Sequence, residues 1–174
     1  NKKGEIDFLS KIIQPDVSVI TNINYAHAKN FKNIKQIALA KSEIINNTKD
    51  GGYLILNSDD VFFNLHKKIE KKKNLKILSF GINNKNSNIK LINVKKIGAK
   101  FKANIKINNR RTYFYVSNDF KSNLLNILAA ITVINIFFDI SRIKKNIFFD
   151  FKEPIGRGDI FKIYLNKKKI KLIN

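Results

Sequence analysis

The sequence predicts an α/β domain, a mostly parallel sheet with flanking helices plus a small antiparallel meander. Three observations lead there. Helix-like and strand-like stretches alternate three times before residue 81, and such alternation implies parallel pairing through right-handed crossovers. From Asn88 to Val116 the pattern changes to apolar–polar alternation interrupted by tight turns, the mark of antiparallel strands. Hydrophobic residues make up 44% of the 174 positions, 14 of them Phe, which is ample for a core and too much for a disordered basic tail.

The elements follow in order. Gly4 to Ile13 places Ile6, Leu9, Ile12 and Ile13 at the 3–4 spacing of an amphipathic helix that Pro15 ends. Asp16 to Thr21 is a short β-branched run, read as a buried strand, and a polar stretch from Asn22 to Asn30 follows it with the only loop histidine, His27. Ile34 to Ile45 aligns Ile34, Ile37, Ala38, Lys41, Ile44 and Ile45 on one helical face, with Gly51-Gly52 as the expected stop. Tyr53 to Leu56 is a buried strand. Asn57-Ser58-Asp59 reads as a capping cluster for a helix from about Asp60 to Lys72, and Leu75 to Phe80 as the next strand. Asn88 to Ile97, Lys100 to Ile107 and Arg111 to Val116 form the meander, with Gly98-Ala99 and Asn108-Asn109 as its turns. Leu124 to Phe138 is a strongly apolar helix expected to be buried on several sides, and Ser141 to Phe149 reads as a second, shorter helix. Pro154 to Gly158 has the composition of a linker. Ile160 to Leu165 and Lys169 to Ile173 would open a further β unit.

Composition bounds the function. Without cysteine there is no disulfide scaffold, Cys-ligated metal or thiol nucleophile. The longest apolar stretch, Ile127 to Phe138, is interrupted by Asn135 and too short to span a bilayer. The chain does not start with Met and stops at Asn174 in a strand-like run, so it is expected to be a piece of a longer protein. Its formal net charge of +21 invites a nucleic-acid reading, since clustered cations neutralise phosphates. Against that, Ile, Lys and Asn account for about half of all residues and only four of the 34 basic residues are Arg. This is the bias of AT-rich codons, and base-reading surfaces rely on the planar fork of Arg.

Carboxylates are scarce, and neither a G-x-S-x-G elbow nor an H-E-x-x-H helix is present. There is also no G-x-x-x-x-G-K-[ST] loop to cradle nucleotide phosphates. Three local features remain. His27 follows a strand of an α/β sheet, at the end where ligands gather; alone, a loop histidine is more often a bystander, as His66 is read to be. Lys41 lies inside the apolar stripe of its helix, where burial lowers an ammonium pKa and a neutral amine can take up carbon dioxide as an anionic carbamate; the plainer alternative is a snorkelling side chain. Asn123 and Asn126 share a face at the start of the apolar helix, where their amides could bind one planar heterocycle or simply serve the helix N-terminus.

In order along the chain, six stretches resemble the Mur ligases, the ATP-dependent amino-acid ligases of peptidoglycan synthesis. They are Asn1-Lys2-Lys3-Gly4-Glu5-Ile6, Ile20-Thr21-Asn22-Ile23 with Ala26-His27, Ile37-Ala38-Leu39-Ala40-Lys41-Ser42-Glu43-Ile44, Leu56-Asn57-Ser58-Asp59-Asp60, Asn123-Leu124-Leu125-Asn126-Ile127-Leu128-Ala129-Ala130, and Gly156-Arg157-Gly158. Ala26 before His27 and the Asn-x-x-Gly-Glu-Ile start favour the member that joins D-alanyl-D-alanine to a UDP-N-acetylmuramoyl-tripeptide. The resemblance implies the central, P-loop NTPase-like ATPase domain of this family with its phosphate loop absent from the chain. Residues 1–153 would be the latter part of that domain, and 154–174 the hinge and first strands of a C-terminal domain.

The resemblance also implies site residues and ligands. ATP and Mg2+ would be the cofactors. His27 would ligate a magnesium ion, and Lys41, carbamylated, would support a second. Asn123 and Asn126 would contact the adenine, Arg157 the nucleotide from the hinge, Asn22 the reacting groups and Asn1 the substrate, unless Asn1 serves as a helix cap. A cytoplasmic monomer with no nucleic-acid partner is implied. One departure stands out: the family usually reads Gly-x-His-Asn before the apolar helix, and this chain has Phe120-Lys121-Ser122-Asn123. Three competing readings are another relative such as a folylpolyglutamate synthase, a basic nucleic-acid-binding α/β module, and a ligase-like remnant without activity.

Overall fold

The structure, a computed structural model, describes residues 2–25, 30–71, 73–117 and 123–150, and the backbone of 160–165 and 168–173. The expected parallel unit is present. β1 (Val17–Ile20), β2 (Tyr53–Asn57) and β3 (Lys76–Gly81) pair in parallel in chain order. Leu54, Ile55 and Leu56 are fully buried, as expected for a central strand covered on both faces.

The meander is a continuation of this sheet. β4 (Ile89–Ile97) overlaps β3 by two parallel pairs, Phe80 with Ile89 and Gly81 with Lys90, and runs on past the end of β3. β5 (Lys100–Ile107) and β6 (Arg110–Val116) then pair antiparallel, completing six strands in the order β1-β2-β3-β4-β5-β6. β7 (Ile160–Leu165) and β8 (Lys168–Ile173) form a separate antiparallel pair.

Helices cover both faces of the sheet. α2 (Ile34–Asn47) and α3 (Phe63–Glu70) lie on one side, where Ile37, Ala38 and Ile45 pack with Ile20, Leu54 and Leu56. α4 (Leu124–Phe137) lies on the other, where Ile127, Leu128 and Ile131 meet Ile55, Phe80, Ile105 and Phe114. α1 (Glu5–Ile13) rests on α2 and reverses the expected polarity. It docks by its polar side: Asn47 Nδ2 donates to Asp7 Oδ1 and to Ser10 Oγ, each at 2.9 Å. Phe8, Leu9, Ile12 and Ile13 are left exposed.

Three local expectations are corrected. Ser141 to Phe149 is not a helix; a single 3-10 turn, Ile140–Arg142, is capped by the Asp139 side chain, which accepts from Ser141 N–H. The chain then lies along the open edge of β6, where Tyr115 N–H donates to the Lys145 carbonyl at 2.7 Å and Val116 bridges Phe148. Satisfying an unpaired strand edge prevails there over a short isolated helix. α2 ends at Thr48, before the glycines, and Gly51 with φ 75° turns the chain toward β2. α3 starts at Phe63, later than expected and with no side-chain cap; Asp60 accepts from Phe62 N–H just before it, while Asp59 is engaged with the loop after β3.

Candidate functional site

Parallel strands deliver their following loops to one rim, and ligands of such sheets gather there. In this chain the rim consists of Thr21 to Tyr25 after β1, Asn57 to Phe62 after β2 and Gly81 to Asn88 after β3. Carboxylates tie these loops together. Asp60 accepts from Ile23 N–H at 2.9 Å and from Phe62 N–H at 2.8 Å, joining the exit of β1 to the entry of α3. Asp59 accepts from the backbone N–H groups of Ile82 at 2.5 Å and Asn84 at 2.8 Å, and so holds the loop after β3. Gly81 fits beneath because it lacks Cβ, which would lie 2.6 Å from Ser58 Oγ.

Lys41 reaches this rim from α2. Its Nζ donates to the Asn22 carbonyl at 2.8 Å. The side chain is half-buried. Desolvation pushes its pKa below the usual lysine value, and the Asp60 carboxylate acts in the opposite direction. One turn earlier on α2, the Ala38 carbonyl meets Nε2 of His66 at 3.3 Å. His66 is only 2% exposed, and burial lowers its pKa as well. It is therefore a core histidine seated under the lysine-bearing turn, where a Lys-rich helix had suggested nothing more than a bystander.

The structure brings Asn22 and Lys41 together through the Asn22 backbone, leaving the exposed Asn22 side chain on the rim. Asn123 and Asn126 lie apart from this pair. Because β6 runs in the direction of β1 to β3, α4 begins toward the same end of the sheet, but on the face opposite α2. Asn126 Nδ2 donates to Asn123 Oδ1 at 3.1 Å. Asn123 occupies the N-cap position of α4 without a side-chain capping bond. Asn1, His27, Ser122 and Arg157 lie outside the described residues.

Among the described residues, no three His, Cys, Asp or Glu side chains come together as a metal site. Lys41 suits a divalent cation in one form only. As an ammonium it is a hydrogen-bond donor, whereas its carbamate would present the oxygen ligands that magnesium prefers. Sequence reasoning missed Asp59 and Asp60 as organisers of the rim and Glu43 as the anchor of α1. Glu43 accepts from the Gly4 N–H at 2.9 Å and the Asp7 N–H at 3.2 Å, fixing α1 to α2. A carboxylate near a helix start was the available signal, but Glu43 serves a helix 39 positions away from it in sequence.

By fold, then, the chain is an α/β domain with a polar carboxyl-end rim into which a half-buried lysine projects. The model of the Mur ligase middle domain matches residues 1–134, and the chain belongs to that family. The UDP-N-acetylmuramoyl-tripeptide–D-alanyl-D-alanine ligase of Rickettsia prowazekii is 31% identical over 94% of this chain and 36% of its own length. The ligase of the same name from Buchnera aphidicola subsp. Baizongia pistaciae is 33% identical over 97% of this chain and 36% of its own. The UDP-N-acetylmuramate–L-alanine ligase of Borrelia garinii is 33% identical over 82% of this chain. Among solved structures, MurF from Acinetobacter baumannii superposes with a TM-score of 0.78 at 23% identity, covering 98% of this chain and 36% of that one. MurF ligase from Thermotoga maritima in complex with ADP does so with 0.72 at 22% identity, covering 91% of this chain and 36% of that one. The chain thus spans about a third of the length of these relatives.

Proposed function

We propose that this chain is the latter part of the ATP-binding domain of a ligase that joins D-alanyl-D-alanine to a UDP-N-acetylmuramoyl-tripeptide. Residues 1–153 belong to that domain, and 154–174 form the hinge and first strands of the next. The observation that carries the reading is the match, at 31% identity over 94% of the chain, to a ligase of that name. The placement of Lys41 supports it: a half-buried amine of lowered proton affinity, held at the ligand-bearing rim.

The chemistry is that of amide formation in water. A carboxylate does not condense with an amine unaided, so ATP first converts the tripeptide carboxylate to an acyl phosphate. The dipeptide amine then attacks, and phosphate leaves from the tetrahedral intermediate. Stabilising charge on phosphoryl oxygens is the main task of such a site. Lys41 as its carbamate, with His27, would hold magnesium, which supplies Lewis-acid stabilisation of those oxygens. Asn123 and Asn126 would take the adenine edge, Arg157 the nucleotide from the hinge, Asn22 the reacting groups and Asn1 the substrate. The parent enzyme would act as a cytoplasmic monomer on soluble nucleotide-linked precursors; among the described residues, no helix is long and apolar enough to cross a membrane.

The test is phosphate release by the full-length protein with ATP, the tripeptide nucleotide and D-alanyl-D-alanine. Turnover that requires all three is expected. Turnover with UDP-N-acetylmuramate and L-alanine instead would favour the second activity found among the relatives, and none with either pair would overturn the ligase reading. Lys41→Ala is expected to lower kcat at least about a hundredfold, with partial rescue by short carboxylic acids that replace the carbamate. An unaffected variant, or one that no carboxylic acid restores, would remove the carbamate role.

A further inference from the structure

Away from Lys41, on the opposite face of the sheet, a cavity of about 380 Å3 opens between the β5–β6 turn and the chain that follows α4. Its walls include Asn108, Arg110, Arg111, Asn135, Asp139 and Lys145. Asn135 lies twelve residues beyond Asn123 on α4, roughly 18 Å along the helix axis. The cavity is therefore separate from the end of α4 assigned to adenine. We propose that it binds a phosphoryl-bearing small molecule, with the two arginines gripping the phosphoryl oxygens and Lys145 completing the inner wall.

The charge balance favours an anion. Three cations line the cavity against one carboxylate, Asp139. That carboxylate is occupied: it accepts from Ser141 N–H at 3.0 Å, and this bond, followed by the fields of Arg142 and Arg110, keeps its pKa low. No other acid among the described residues lines it, and not one Asp or Glu occurs from Lys71 to Asn118 or from Leu124 to Phe138. Among the described residues, neither Arg110 nor Arg111 has an ion-pair partner.

The identity of the cations is a second, independent observation. In a chain where only four of 34 basic residues are Arg, most cationic positions have settled for Lys. Two of those four, Arg110 and Arg111, line this one cavity, and a third, Arg142, lies near enough to act on its Asp139. Arginine offers a planar fork that pairs two parallel N–H groups with phosphoryl oxygens, which an ammonium cannot do. Successive strand residues point to opposite faces, yet both arginines line the cavity because it wraps around the end of the hairpin. Lys145 is the fixed member: its Nζ donates to Thr112 Oγ1 at 2.9 Å and lies 5.3 Å from the Phe114 ring centre. The volume is within the range of small-molecule sites.

The experiment titrates pyrophosphate into the full-length protein with 15N-labelled arginine and follows the side-chain Nε–Hε signals, assigned through Arg110→Lys and Arg111→Lys. Saturable shifts of the Arg110 and Arg111 signals are expected. Binding should weaken at least about tenfold in Arg111→Lys despite its unchanged charge, and the shifts should persist in Lys41→Ala, which separates this site from the ligase chemistry. Absence of saturable shifts would overturn the proposal. So would equal affinity in Arg111→Lys, which would mean that only the general positive field attracts the anion. Tighter, steeply salt-dependent binding of random single-stranded RNA at the same signals would also overturn it, in favour of a polyanion surface.

Discussion

Lys41 is held between two opposing influences. Burial disfavours its ammonium form, while the Asp60 carboxylate and the Asn22 carbonyl favour it. Small changes around it therefore shift the fraction of neutral amine, the form that takes up carbon dioxide. His66, one turn away, allows a cleaner measurement because it is almost fully buried. Its pKa is depressed below 6.5 mainly by desolvation, opposed by the Ala38 carbonyl and Asp60 and reinforced by Lys41. Between that depressed value and 6.5 the unfolded chain binds more protons than the folded one, so the stability contributed by neutral His66 is complete above 6.5 and is lost as pH falls through the folded pKa. Thermal unfolding from pH 7 to pH 5 should show His66→Gln losing less stability than the parent on acidification. Equal losses would mean that the buried imidazole contributes nothing to acid sensitivity. Of these residues, Lys41 was legible in the sequence as a cation in an apolar stripe. His66 and Asp60 were not, because their partners, Ala38 and Ile23, are 28 and 37 positions distant.

At the level of elements, α1 and α2 have similar apolar spacing and opposite outcomes. Ile45 of α2 is fully buried, and Ile12 of α1 is 68% exposed. Ile45→Ala should cost about 2–5 kcal/mol through lost burial and a residual cavity, whereas Ile12→Lys should change stability by less than about 0.5 kcal/mol. Denaturant titration of both variants checks this, and a large loss for Ile12→Lys would show that its exposed face is covered in solution. The loop after β3 offers another contrast. Gly81 has no unusual backbone angle, but an added Cβ would meet Ser58 Oγ at 2.6 Å and Ser87 Oγ at 2.9 Å. Those hydroxyls are bonded to each other at 2.7 Å, so neither moves without cost. Gly81→Ala should destabilise by about 1–3 kcal/mol, and an unchanged denaturation midpoint would show that the loop after β3 relaxes freely.

Over the whole molecule, charge is distributed unevenly. All acids before Asp119 lie within the first 70 residues, and the stretch that carries the meander has only cations. With a formal net charge of +21, self-repulsion opposes the compact state. Raising ionic strength from about 0.01 M to 0.15 M shortens the screening length from roughly 30 Å to 8 Å, so Tm should rise across that range. A falling Tm in calorimetry would show that attractive ion pairs outweigh the repulsion. The continuous six-stranded sheet also decides how the sites are arranged. The two-pair overlap of β3 with β4 places the β5–β6 turn level with the end of β3, bringing the arginine cavity beside the domain core.

Periodicity along the chain was enough to determine nearly every strand and helix, the parallel order of β1 to β3 and the meander, since backbone conformation and apolar face are local properties. The ordered motifs were enough to indicate the family. Tertiary structure alone decided which face each helix would use and which distant groups would meet. α1 docks by its polar side because Glu43 and Asn47 supply partners for its backbone and for Asp7, an exchange that no local pattern records. The stretch from Ile143 to Phe149 runs along β6 because an open strand edge offers hydrogen bonds that a short isolated helix cannot match.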